Sequence, residues 1–69
     1  MSISYKPLWH LLVEKKMKKL ELRDLVGMSN STLARLGKDE PVTLEVLEKI
    51  SVALNCRIED IVEFIKDEQ

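Results

Sequence analysis

Apolar residues recur along this chain at helical intervals, broken by a few polar, glycine and proline positions. Leu8, Leu11 and Leu12 stand at i, i+3 and i+4 behind Pro7, whose missing N–H costs nothing in a first helical turn. They predict a first helix from Pro7 to about Lys16. A second is expected from about Lys19 to Val26, burying Leu22 with Leu25 and Val26, and Gly27 has the backbone freedom to end it. Met28 plugs the turn into the core. Ser29 is a natural N-cap for a third helix, on which Leu33 and Leu36 face inward. Lys38-Asp39-Glu40-Pro41 has loop composition. Thr43 then caps a fourth helix, Leu44 to Leu54, whose apolar positions Leu44, Val46, Leu47, Ile50, Ala53 and Leu54 wrap widely enough for a central element. Asn55 suits a left-handed exit. A fifth helix is expected from about Glu59 to Lys66, with Ile58, Ile61, Val62 and Ile65 on one stripe. Nothing alternates as a strand. The pattern predicts an all-α fold of five helices without a sheet.

The second and third helices, joined by a short turn around Gly27, have the spacing of a helix-turn-helix. The third opens with Ser29-Asn30-Ser31-Thr32. A helix that only packs has no need of such a run of small polar side chains, whereas one that touches base edges does.

Composition narrows the field. Sixty-nine residues suffice for one small domain over 1–69, with residues 1–4 and 66–69 expected to fray. The single Cys56 cannot form an internal disulfide, and no Cys or His cluster offers a metal site, so a reduced, cytoplasmic setting is expected. The longest apolar run, Leu11-Leu12-Val13, falls far short of the roughly 20 residues a membrane helix needs. No signal peptide is legible, and a soluble protein is expected. The net charge of −1 conceals a split. Residues 1–38 carry eight Lys or Arg against three Asp or Glu, a net +5, and residues 39–69 carry three against nine, a net −6. The basic half contains the helix-turn-helix, so one surface would attract phosphate while the other repels it. Ordinary solvated charge is the plainer alternative.

Nothing suggests catalysis. The carboxylates Asp39, Glu40, Glu59, Asp60 and Glu63 are dispersed, only two glycines are present, and no nucleophile–base pair is visible. His10 reads as a surface or half-buried side chain, and Cys56 as filler between the last two helices, with thiol-based redox sensing as the alternative. No enzyme, cofactor or metal is expected.

The residues Leu22, Gly27, Met28, Ser29, Leu33 and Leu36, followed by Thr43-Leu44-Glu45-Val46-Leu47-Glu48-Lys49-Ile50 and Ala53-Leu54, together resemble the phage-repressor and Cro-type (XRE-like) helix-turn-helix family over nearly the whole chain. The opening Tyr5-Lys6-Pro7-Leu8-Trp9 is similar to a subgroup of very small single-domain members. The resemblance implies a compact five-helix, lambda-repressor-like DNA-binding domain. It also implies an operator-binding transcriptional regulator, in many cases dimeric. The base-reading positions correspond to Asn30 and Ser31, followed by Thr32 and Arg35. Asn pairs bidentately with adenine N6 and N7, Arg with guanine O6 and N7, and the Thr methyl can touch that of thymine. The family often places a bracing Gln in the first turn of its second helix. Here Lys19 stands there, preceded by Lys18, and Lys cannot reproduce the amide's paired donor and acceptor. Phosphate contacts are expected from Lys18, Lys19, Lys38, Ser29 and Lys6, with Lys15 or Lys16 as further options.

A single helix-turn-helix reads few base pairs, so a homodimer on two half-sites is expected. Phe64 with Ile61 and Ile65 offers one apolar contact surface, and Trp9 with Val13 another; Trp9 better suits the core or its edge, and Phe64 equally suits packing within the chain. The expected partner is a double-stranded DNA operator, with RNA polymerase contact open and no membrane. The alternative is a protein-interaction module of the same fold, an antitoxin or adaptor whose partner would be a toxin or another protein. Its motivation is the near-neutral total charge and the absent glutamine.

Overall fold

Four of the predicted stripes close on one another as helices, while the fifth does something else. The computed structural model describes residues 2–66, in the order β1 (Ser2–Ser4), α1 (Lys6–Glu14), α2 (Lys19–Val26), α3 (Asn30–Gly37), α4 (Leu44–Leu54), a short 3-10 turn (Ile58–Asp60) and β2 (Glu63–Ile65). The sequence signals act where they stand. Pro7 lies in the first turn of α1, Gly27 ends α2 at φ 81, and Asn55 ends α4 at φ 53. Thr43 Oγ1 accepts from Val46 N–H (3.3 Å) to cap α4. Helix α1 stops at Glu14 rather than Lys16, because Lys16 turns left-handed at φ 56.

Tyr5, Leu8, Leu12, Leu22, Leu36, Leu47, Ile50, Leu54 and Ile61 form the buried core, with Trp9, Leu11, Val26, Met28, Val46 and Cys56 half-buried against it. Helix α2 packs on α3 and α4, and both α1 and α4 pack on the 3-10 turn. On these four helices two side chains expected inside are not, and Ile58 and Ile65 of the expected fifth are exposed as well. Leu25 is 56% exposed, on a shallow groove between α2 and α4 that Val26, Val52 and Ala53 also line. Leu44 is exposed at the first position of α4, beyond the reach of the other helices.

The expected fifth helix is not formed, and neither is the sheetless fold. Asp60 Oδ2 turns back to accept from Arg57 N–H (3.0 Å), closing a single tight turn. After Val62 the chain runs extended, and β2 pairs antiparallel with β1 in the register Ser2↔Ile65, Ile3↔Phe64, Ser4↔Glu63. This sheet also corrects the expected fraying of residues 2–4. Ser4 is buried, its Oγ accepts from Lys6 N–H (3.2 Å), and Ile3 packs against the core. The expected frayed tail at 67–69, like Met1, lies outside the described residues.

Tyr5 fastens this N-terminal corner. Its N–H donates to Asp39 Oδ1 (3.0 Å) and its phenol to the Glu40 carbonyl (2.8 Å), in the loop between α3 and α4. Asp39 adopts φ 56 to present its carboxylate there, a left-handed conformation that Asp tolerates better than most residues.

Candidate nucleic-acid interface

The turn between α2 and α3 is built from local chemistry. Lys18 lies extended ahead of α2, and its N–H donates to Glu21 Oε1 (2.9 Å), satisfying a donor the helix itself cannot. At the other end, Gly27 N–H and Met28 N–H both donate to the Arg23 carbonyl, at 2.8 and 3.1 Å. That pairing reverses the chain and drops Met28 against the core. Ser29 then caps α3: its Oγ accepts from Thr32 N–H (3.1 Å). Its own O–H donates to Thr32 Oγ1 (3.0 Å), and Ser31 Oγ lies 3.1 Å away.

Leu36 points inward and Leu33 is half-buried, which turns Ser31 and Arg35 outward and leaves Asn30 on the flank at the helix start. All three are exposed, and Thr32 is half-buried beneath them. The structure thus brings Ser29, Asn30, Ser31 and Thr32 together in one polar turn, with Arg35 one turn further along. Ser29 spends its hydroxyl on the cap and its neighbours, an engagement the expected phosphate contact would have to share.

The lysines are spread around this helix rather than gathered on it. Lys18 and Lys19 sit at the start of α2, Lys38 at the end of α3 and Lys6 at the start of α1, all exposed. Lys19 Nζ lies 4.4 Å from the centroid of the Trp9 ring, a cation–π contact that ties α2 to α1. Trp9 is accordingly half-buried at the edge of the core.

Arg23 is the side chain of the candidate site that sequence reasoning missed, counting it only as charge. Its Nη1 donates to Asn30 Oδ1 at 2.6 Å, from the last turn of α2 to the first of α3. Nε and Nη2 donate to Asp24 Oδ1 at 3.0 and 2.9 Å. The available signal was its place one turn before Gly27, where a reversing chain brings the next helix start within reach of a long side chain.

The proposed apolar contact surfaces separate. Ile61 is fully buried in this chain's own core, which removes it from any surface shared with Phe64 and Ile65. Phe64 is 68% exposed and Ile65 48% on β2. Val13 is exposed on α1.

Cys56 is half-buried, and burial above all, then the nearby Asp60 carboxylate, pushes its thiol up, against a smaller lowering by Lys15. A raised thiol is the less nucleophilic kind, so the environment does not favour a redox sensor. Among the described residues no His, Cys, Asp or Glu group could hold a metal, and no helix is long and apolar enough to cross a membrane.

Comparison with known proteins agrees with this geometry. The Cro/C1-type HTH DNA-binding domain family matches residues 7–67. YozG of Bacillus subtilis (strain 168), described as an uncharacterised HTH-type transcriptional regulator, is 38% identical over 60 residues, covering 84% of this chain and 71% of its own. A crystal structure of the transcriptional regulator VanUg matches with a TM-score of 0.93 and 50% identity, over 96% of this chain and 88% of that one. Its small sheet notwithstanding, the chain belongs to the Cro/C1-type helix-turn-helix DNA-binding domain family.

Proposed function

We propose that this chain is a sequence-specific transcriptional regulator that lays α3 in the major groove of double-stranded DNA and works as a homodimer. The observation that carries the reading is the exposed, pre-capped polar turn Ser29–Thr32 on a helix whose other face is locked into the core. Asn30 and Ser31 then reach base edges first, with Arg35 behind them and Thr32 at short range. Lys18, Lys19, Lys38 and Lys6 neutralise flanking phosphates and set the register. The positive first half of the chain supplies the long-range attraction. Phe64 and Ile65, exposed on β2, offer the second copy a contact. Repression follows where the operator overlaps a promoter, because bound protein excludes polymerase.

Selection from randomised duplexes, followed by sequencing, tests this reading. The expected result is a palindromic consensus with half-sites about one helical turn apart. Recovery of no consensus would overturn it. The protein-interaction reading would then take its place, supported by the exposed groove between α2 and α4 bordered by Leu25 and Val52.

A further inference from the structure

We infer that Arg23 is a positioning residue for base reading: it holds the Asn30 carboxamide in the orientation that recognises adenine. The inference rests on Asn30 being a base reader and names what aims it. A guanidinium has only donors to offer, so the atom of Asn30 facing it at 2.6 Å is the carbonyl oxygen. Flipping the amide by half a turn would set its N–H groups against a cation. Held this way, Oδ1 keeps a second lone pair for the adenine N6–H, and Nδ2 stays available to donate to N7. An amide fixed before DNA arrives loses less freedom on binding than one that rotates.

Arg23 is itself held. Asp24 Oδ1 accepts from both Nε and Nη2, and the Arg23 side chain is only 28% exposed. Its carbonyl meanwhile accepts the two N–H groups that close the turn, Gly27 and Met28. One residue therefore fixes both the backbone reversal and the first side chain of α3. The first-turn position of α2 does not compete for this task, because the Lys19 ammonium lies over the Trp9 ring, where it stays exposed to a phosphate.

The experiment compares the intact protein with Arg23→Met, Asp24→Asn, Asn30→Ala and the Arg23→Met/Asn30→Ala double variant. Each is titrated against the selected operator duplex and against duplexes changed at single base pairs, at two salt concentrations, after thermal melting has shown it folded. Asn30→Ala identifies the base pair that Asn30 reads. Arg23→Met is expected to lower the preference for adenine at that pair about tenfold, to leave the other pairs unchanged, and to add nothing in the double variant. Asp24→Asn, which leaves the guanidinium in place, is expected to give a smaller loss at the same pair, and it carries the test should Arg23→Met not fold. An equal loss on every duplex with a flatter salt dependence would make Arg23 a phosphate contact and overturn the inference. So would a loss at that pair that persists in the Asn30→Ala background. If Asn30→Ala shifts no base preference, base reading by Asn30 fails, and the inference fails with it, a result visible before Arg23 is altered.

Discussion

The phenol of Tyr5 donates to the backbone carbonyl of Glu40 at 2.8 Å across 35 positions of sequence. The contact clamps the residue between β1 and α1 to the loop that leaves α3. Tyr5→Phe removes it while keeping the ring, and is expected to cost about 1 kcal/mol, or a fall in Tm of about 4–8 °C. Burial, and to a lesser degree the Asp39 carboxylate, raise this phenol above its ordinary value of 10.0. The folded state thus prefers the neutral phenol. Its contribution is complete below pH 10.0 and is lost as pH rises from there through the folded-state value. Thermal melts from pH 8 to 11 should show an alkaline fall in the native protein that Tyr5→Phe lacks; parallel curves would break the link.

Ser29 has a structural duty that precedes any contact with DNA. Ser29→Ala strips the cap from Thr32 N–H and should cost about 1 kcal/mol in denaturant unfolding. Ser29→Asp restores an acceptor at the cap but brings a negative charge toward phosphate. It is expected to recover stability and lose DNA affinity. Recovery of both would place Ser29 away from the backbone of the duplex.

Ile61 and Phe64 lie three residues apart and should behave oppositely. Ile61→Ala opens a cavity in the core and is expected to cost about 2–5 kcal/mol, enough to unfold much of the protein. Phe64→Ala removes an exposed ring and should change monomer stability by under about 0.5 kcal/mol. If β2 carries the dimer contact, Phe64→Ala shifts sedimentation toward the monomer. An unchanged profile removes that surface.

The proposed phosphate contacts would have an ionic signature. With about five phosphates neutralised per protomer, log affinity should fall against log salt with a slope of roughly −4 to −5. Lys18→Gln and Lys38→Gln should each flatten the slope by about one and weaken all sequences alike. Selective loss at one base pair would instead make that lysine a reader.

Much of this architecture was readable because its signals are local. Pro7, Gly27, Ser29, Thr43 and Asn55 each act within a few residues of where they stand, and the ends of α2 and α4 followed from them. The last segment was misread because its information lies elsewhere. Ile58, Ile61, Val62 and Ile65 keep a helical spacing, yet three of the four flank or follow a turn that Asp60 closes. The strand beyond it is three residues long, too short to show alternation, and its partner stands some sixty positions earlier. Pairing at that separation leaves no mark in either segment alone. At the candidate interface, the exposed set Asn30, Ser31 and Arg35 was legible from the polar run. The Arg23–Asn30 bond was not, since it depends on how sharply two helices meet.

The pairing of Ser2–Ser4 with Glu63–Ile65 also bears on synthesis. A nascent polypeptide emerges from the ribosome with its first strand unmated, and Ile3 stays without its cross-strand neighbour until position 64 has been added. The core likewise waits for Ile61, so the molecule is latched only when translation has passed β2, and a product released short of it would leave the first strand unpaired.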